Sequence, residues 1–311
     1  MPKFLRIVTS SLGTFEAVAP PYNLREPSAE ENIERALSIL ETAKAFKPDL
    51  VLLPESFKMA GMGAARIKEI AEPLTGTTVS FLSNQAQQGN FNLIAGHILI
   101  NENGQLTNSA LVFDRQGNLV GKYDKSFPVE SEIKSGITPG NHLPIFDMDC
   151  GRIGVLICFD INWPTLWSRL ADAGADLIAW ISAYEGGFPL KSYAWSTRVP
   201  IVTSVMPYHA RVIDITGEII ASTSRWNRIV TCDINLDREL FHTDNQMHKI
   251  SAIQKMYGPE LVIKTYTEEH LILIENNVPG KTIKEIGQEF ELVSYKDYIT
   301  HCTSVRNAHI A

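Results

Sequence analysis

Short apolar runs that stop at Gly, Pro or acidic residues recur along this chain and set its skeleton. Phe4 to Leu12 is β-rich and predicts a first strand, followed by a loop with Pro20, Pro21 and Pro27. Ser28-Ala29-Glu30-Glu31 then has a capping-box pattern, in which Ser28 meets the Glu31 amide and Glu31 reaches back. Ile33, Ala36, Leu37, Leu40 and Ala43 follow at helical spacing, so one apolar stripe runs along a helix that Pro48 stops. Leu50 to Leu53 is wholly apolar and reads as a buried strand, ending at Pro54-Glu55-Ser56. A strand, helix, strand unit predicts a crossover and parallel neighbours.

The alternation then loosens. A helix is expected over Thr78 to Gly89 and a strand over Asn92 to Ile100, with a turn at Asn103-Gly104. Ala110 to Phe113 and Leu119 to Tyr123 are two strands joined across Asp114 to Gly117. Asp124 to Pro144 is long and irregular, and such stretches inside a domain are commonly functional. Ile153 to Ile157 is the next apolar run; it ends at Cys158-Phe159-Asp160 and breaks at Trp163-Pro164. A helix from about Pro164 to Ala173, a strand from Leu177 to Ile181, a helix over Leu190 to Arg198 and a strand over Ile201 to Val205 follow. A hairpin turning at Thr216-Gly217 and a last strand over Ile229 to Ile234 complete the pattern. Hairpins interrupting the β-α alternation predict an α/β fold with two mixed sheets packed face to face and helices outside. The pattern weakens after about Leu236, where Thr282 to Phe290 and Tyr295 to His301 are short helix candidates. The expected division is one domain over residues 1–280. Residues 281–311 form a C-terminal extension that packs on it or on a neighbouring subunit.

Composition narrows the class. The 311 residues are 44% hydrophobic and 20% charged, with net charge −7 and no long basic block. That balance argues against a nucleic-acid or anionic-membrane surface. Cys150, Cys158, Cys232 and Cys302 include no CxxC pair, which argues against structural zinc and for a reducing compartment. The first residues lack a signal-peptide core and no apolar stretch approaches a membrane span, so the expected location is cytoplasmic.

Three strand exits carry complementary ionisable groups: Glu55, Lys125 and Cys158. Singly, each has an ordinary alternative, as a cap, a solvated charge or a buried small hydrophobe. Jointly, a thiol, a carboxylate and an ammonium are the parts of acyl transfer: nucleophile, proton carrier and oxyanion partner. His97 and His209 invite a Cys–His pair instead; both are expected as hydrogen-bonded structural histidines. An activated Cys158 is expected to alkylate before the other three cysteines.

Leu52-Leu53-Pro54-Glu55, Lys122-Tyr123-Asp124-Lys125 and Gly151-Arg152-Ile153-Gly154-Val155-Leu156-Ile157-Cys158-Phe159-Asp160 resemble the glutamate, lysine and cysteine motifs of the nitrilase superfamily of carbon–nitrogen hydrolases. The order is that of the family, and the resemblance covers roughly residues 4 to 275. It implies a four-layer α-β-β-α sandwich, commonly a homodimer or higher homo-oligomer, with no metal and no organic cofactor. It implies Cys158 as nucleophile, Glu55 as general base and acid, and Lys125 with the Phe159 N–H as oxyanion partners, through a thioester. It also implies a second glutamate after the lysine. Glu130 and Glu132 both lie there, and Glu132 is favoured for its spacing of seven positions past Lys125. Two departures stand out: Thr165 replaces the glutamate of an aromatic-Pro-Glu segment, and Asp124 replaces an arginine before the lysine.

Substrate contacts are expected from Phe159, Asn162, Trp163, Tyr184 and Glu185, with Phe188 beside them. Tyr184 and Phe188 would supply apolar surface and Glu185 would meet an amine; turn and packing roles fit these residues equally well. The expected substrate is a linear amide or N-carbamoyl compound, with a nitrile as the alternative. A non-catalytic binding protein on the same fold is the rival class.

Overall fold

The capping box before the first helix forms as read. In a computed structural model of the chain, which describes residues 4–13 and 26–310, the Ser28 N–H donates to Glu31 Oε2 at 2.8 Å and the Glu31 N–H donates to Ser28 Oγ at 3.2 Å. Pro20 and Pro21 of the expected first loop lie outside the described residues. The chain divides into two compact units, one of Leu5–Asp233 and one that runs on from Ile234. Residue 281, where the sequence suggests a C-terminal extension, lies within the second unit.

The first unit holds β1 (Phe4–Ser10), α1 (Ala29–Lys44), β2 (Leu50–Leu52), α2 (Ile67–Ile70), α3 (Thr77–Gly89), β3 (Asn92–Ile100), β4 (Leu106–Phe113) and β5 (Leu119–Asp124). After these come α4 (Glu130–Lys134), β6 (Ile145–Met148), β7 (Gly151–Ile157), α5 (Pro164–Asp172), β8 (Leu177–Ser182), α6 (Phe188–Thr197), β9 (Ile201–Val205), β10 (Arg211–Ile213) and β11 (Ile219–Ser222). β12 (Ile229–Asn235) closes the first sheet.

Two six-stranded sheets result, in the orders β12-β1-β2-β3-β4-β5 and β11-β10-β9-β8-β7-β6. Each has a parallel centre, β1-β2-β3 in one and β7-β8-β9 in the other, extended by antiparallel hairpins. The sheets meet through polar atoms as well as apolar ones. Ser204 Oγ donates to the Ser10 carbonyl at 2.9 Å, and Tyr123 OH donates to Asp160 Oδ2 at 2.8 Å. Helices cover the outer faces, giving the expected α-β-β-α layering. Leu40 and Ala43 of α1 and Leu82 of α3 pack with Val8, Val51, Leu93 and Leu111 in one buried cluster. Each fully buried Leu or Val side chain among these contributes about 1.5–3 kcal/mol. On the other sheet, Leu166, Trp167 and Leu170 form the buried face of α5.

β4 starts at Leu106 rather than at Ala110, where the apolar run begins. Thr107, Asn108 and Ser109 pair with β3 through their backbones, so polar side chains do not end the strand. β6 and α4, four and five residues long, are too short to show a period and are absent from the sequence expectation.

The second unit has a three-stranded antiparallel sheet of β13 (Arg238–His242), β14 (Leu261–Tyr266) and β15 (Leu271–Asn276), in the order β13-β15-β14. α7 (Met247–Tyr257) and α8 (Ile283–Glu289) bury Ile253, Ile283 and Ile286 against Phe241, Ile272 and Ile274. α9 (Tyr295–Ile310) is exposed along its length and docks through Tyr298, stacked on His242 at 4.2 Å and hydrogen-bonded to Asp244 at 2.6 Å.

Candidate active site

The carboxyl ends of β2, β5 and β7 converge, two from one sheet and one from the other. Glu55, 4% exposed, stands just past β2, where Ser56 takes a left-handed turn. The turn lies close against β3: a Cβ on Gly96 would come within 2.5 Å of the Glu55 Cα. Lys125, 1% exposed, follows β5, and its carbonyl accepts from the Gly140 N–H at 2.8 Å. Gly140 is needed there, since its Cβ would stand 2.1 Å from the Asp124 carbonyl oxygen. Cys158, 7% exposed, ends β7 at φ 49°, in a region that non-glycine residues occupy only under constraint.

The constraint comes from Asp160 and Trp180. Asp160 accepts from the Ile157 N–H at 3.0 Å, the Phe127 N–H at 2.9 Å and the Tyr123 hydroxyl at 2.8 Å. It thereby ties the turn after Cys158 to the segment around Lys125. Burial pushes its carboxyl up to about 6, against the pull of those donors. The Trp180 indole N–H holds the Cys158 carbonyl at 3.1 Å.

The charged groups form one buried cluster. Lys125 Nζ donates to Glu55 Oε1 and to Glu132 Oε2, both at 2.8 Å. Asn108 Nδ2 donates to Glu55 Oε1 at 2.7 Å and to Glu132 Oε1 at 2.6 Å. The Ala183 N–H reaches Glu55 Oε2 at 2.8 Å and the Val129 N–H reaches Glu132 Oε2 at 2.7 Å. Two carboxylates against one ammonium leave a net negative charge, which these neutral donors offset. Burial opposes the charge on Lys125, but Glu55, Cys158 and Glu132 outweigh it and hold its pKa above the ordinary lysine value. Burial, then the charge of Glu55, push the Cys158 thiol well up; Lys125 and a hydrogen bond with Ser182 pull the other way. Burial and the Glu55 charge both favour the protonated thiol, so at neutral pH the sulfur keeps its proton near a carboxylate able to take it.

Glu132, not Glu130, stands in the cluster; Glu130 pairs with Lys134 and its side chain is 81% exposed. Of the expected contact residues, Phe159 and Tyr184 are partly open to solvent. Tyr184 packs edge-on against Trp180 at 5.5 Å, near enough for Cys158 and Glu55, after burial, to raise its phenol to about 12. Trp163 is stacked on Phe127 at 3.6 Å and meets Phe159 edge-on at 5.4 Å, forming an aromatic wall. Asn162 turns its amide back onto the Phe159 carbonyl at 3.0 Å. Glu185 Oε1 accepts from the Tyr208 and His209 N–H groups, both at 3.2 Å, which ties its loop to the segment after β9 rather than offering the carboxylate to an amine. Phe188 is exposed at the start of α6.

Neither histidine joins the thiol. His209 Nδ1 contacts the Thr223 carbonyl at 3.2 Å. His97 lies on the opposite face of β3 from Gly96, since neighbours on a strand alternate. It is not hydrogen-bonded as expected: both ring nitrogens lack a partner among the described residues, and burial lowers its pKa to about 4. Asp124 also points away from Lys125, bonding Ser109 at 2.6 Å and pairing with Lys122, so its departure from the motif leaves the cluster untouched. Asn108 and Trp180 had no place in the sequence-based expectation, and Asp160 had no role there. Asn108 gave no local signal, since it stands in the polar triplet Thr107-Asn108-Ser109 before the apolar run that begins at Ala110.

A family model described as carbon-nitrogen hydrolase matches residues 17–239, ending close to where the first unit ends. The chain is 28% identical to the omega-amidase NIT2 of Homo sapiens over 237 residues, 67% of this chain and 84% of that one. Among solved structures, Nit3 of Saccharomyces cerevisiae, a member of branch 10 of the nitrilase superfamily, superposes with a TM-score of 0.66 at 20% identity, covering 83% of this chain and 96% of Nit3. A mutant amidase from Nesterenkonia sp. AN1 superposes with a TM-score of 0.64 at 17% identity, covering 75% of this chain and 90% of that one. In that amidase the acetamide moiety of fluoroacetamide is covalently added at the active-site cysteine.

Proposed function

The chain belongs to the carbon–nitrogen hydrolase family of the nitrilase superfamily, and from that premise we propose that it is an amidase working through Cys158, Glu55, Lys125 and Glu132. The observation that carries the reading is one ammonium held 2.8 Å from two buried carboxylates, with the buried thiol of Cys158 close enough to feel the charges of Glu55 and Lys125.

The Cys158 sulfur attacks the amide carbon while its proton passes to Glu55. A neutral resting thiol suits this order, because the proton leaves as the S–C bond forms. The carbonyl electron pair moves onto oxygen, where Lys125 and the Phe159 N–H hold the negative charge. Collapse breaks the C–N bond, and Glu55 returns its proton to the departing nitrogen. Water, deprotonated by Glu55, then attacks the thioester and releases the carboxylic acid and the thiol. Glu132 keeps Lys125 aimed and helps place that water. The preferred substrate is a linear amide or N-carbamoyl compound, entering past Tyr184 and the Phe127, Trp163 and Phe159 wall. The omega-amidase and amidase relatives support an amide over a nitrile. No helix among the described residues is long and apolar enough to cross a membrane, in keeping with a proposed cytoplasmic location. A homodimer is the proposed assembly.

Ammonia release from a panel of primary amides, N-carbamoyl amino acids and nitriles tests the reading. Turnover of an amide is expected, and Cys158→Ala abolishes it without loss of fold; full activity in that variant refutes the mechanism. His209→Ala is expected to retain turnover while Glu55→Gln loses it. The reverse result would assign the base to His209.

A further inference from the structure

Asn108 lies on β4, is 2% exposed, and has both carboxamide hydrogens committed to carboxylates. Its Oδ1 accepts from Ser56 Oγ at 3.2 Å. Chemistry dictates this orientation: ionised carboxylates only accept, so Nδ2 has to face them and Oδ1 has to face the hydroxyl. Lys125 bridges the same two carboxylates from the other side. Glu55, Lys125, Glu132 and Asn108 therefore close a ring of four hydrogen bonds, alternating acceptor and donor.

The two bridges differ in what the reaction asks of them. Lys125 must share its ammonium with a developing oxyanion, which loosens its hold on the glutamates. Asn108 has no such second duty. It is neutral, so it supports two adjacent negative charges without competing for the oxyanion. Like charges in one buried site drive one of the pair towards protonation unless donors favour the ionised forms. A protonated Glu55 has no room for the thiol proton.

We propose that Asn108 is a positioning residue for hydrolysis, bridging Glu55 and Glu132 so that both carboxylates stay aimed and at a fixed separation while Lys125 turns to the oxyanion. The proposal rests on the Cys158 mechanism above. In the step it serves, the S–H bond breaks, its proton moves to Glu55, and the S–C bond forms as the carbonyl pair moves to oxygen. The titratable groups around Asn108 and its partners are Glu55, Lys125, Glu132, Cys158, the Tyr184 phenol and the Asp160 carboxyl.

The test measures kcat, KM and the pH profile of kcat with propionamide as probe, beside melting temperatures. Asn108→Ala is expected to lower kcat about 100-fold with KM little changed, the penalty of a misplaced reacting group. Asn108→Asp keeps the shape but adds a third carboxylate, and the acid limb of the profile is expected to move up by about one unit or more. Ser56→Ala removes only the anchor on Oδ1 and is expected to cost about two- to tenfold in kcat. Melting temperatures that fall while kcat and the pH profile stay at wild-type values would show a structural role only and overturn the proposal. If Asn108→Ala does not fold, Ser56→Ala and Asn108→Asp decide by the same readouts. Cys158→Ala run in parallel separates the two claims. Activity surviving in it sinks the mechanism and this inference together; Cys158-dependent activity indifferent to Asn108 and Ser56 sinks this inference alone.

Discussion

Gly96→Ala is a change of one methyl group, on a strand that carries no catalytic side chain, and it is expected to cripple the enzyme. The added Cβ would lie 2.5 Å from the Glu55 Cα, 2.5 Å from the Ser56 nitrogen and 2.7 Å from the Pro54 carbonyl oxygen. All three neighbours are backbone, so no side chain can swing away. Restoring ordinary contact at about 3.5 Å requires about 1 Å of movement between β3 and the Glu55 turn. The Glu55 carboxylate moves with its turn, while its donors Lys125, Asn108 and Ala183 stand on other segments at 2.7–2.8 Å. A displacement of that size takes these bonds past hydrogen-bonding distance. Overpacking of this kind costs about 1–3 kcal/mol of stability, and a 1 Å misplacement about 100-fold in rate. Ammonia release at saturating amide gives kcat, and thermal unfolding gives the stability change. Gly63→Ala is the control, with nothing within 4 Å of its Cβ, and should match wild type in both. A folded Gly96→Ala enzyme with wild-type kcat would mean that catalysis does not depend on where the Glu55 turn sits, and would refute Glu55 as the base.

Glu132→Gln leaves Lys125 paired with Glu55 but turns an amide NH2 towards another donor, so stability should fall by about 1.5–3 kcal/mol, and kcat should drop roughly tenfold or more with the loss of an aimed ammonium; wild-type kcat would remove Glu132 from the machinery. Thiolate absorbance at 240 nm, taken as wild type minus Cys158→Ala, should stay flat to about pH 9, because burial and Glu55 hold the thiol above its usual value of about 8.5. The sign for stability follows: a raised folded pKa favours the protonated form, so this contribution is present below about 8.5 and lost as pH climbs beyond it. A thiolate step below neutrality would contradict both statements. Burial reverses the expectation that Cys158 alkylates before the other cysteines: iodoacetamide at neutral pH should label Cys302 first, since it is exposed on α9 while Cys158 is buried and protonated; peptide mapping that finds Cys158 first would point to a thiolate already formed.

Local pattern carried much of this protein. The stripe from Ile33 to Ala43 and its capping box defined α1, the span Asn92 to Ile100 matched β3 at both ends, and the apolar approach to Cys158 located the exit of β7. These features are legible because periodicity and capping act within a few residues. The motifs around Glu55, Lys125 and Cys158 were legible for the same reason, as short segments where a strand leaves the core.

What local pattern leaves open is partnership. Glu132 and Glu130 sit on one turn of α4 and differ only in which side faces the core. Glu185 reads as a candidate for an amine until the backbone after β9 arrives to occupy it. Asn108 looks like a polar residue ahead of a strand until its two partners, 53 and 24 residues away, are brought against it. β13 and β14 mix charged and apolar positions that only packing within the second unit sorts, whereas the apolar run Leu271 to Ile274 of β15 is as plain in the sequence as that of β2. Residue order along the chain thus dictated helices, strands and the three exits. Strand order in the two sheets, settled by burial of apolar faces over long separations, chose which polar atoms meet, and with them the ring of charges beside the thiol.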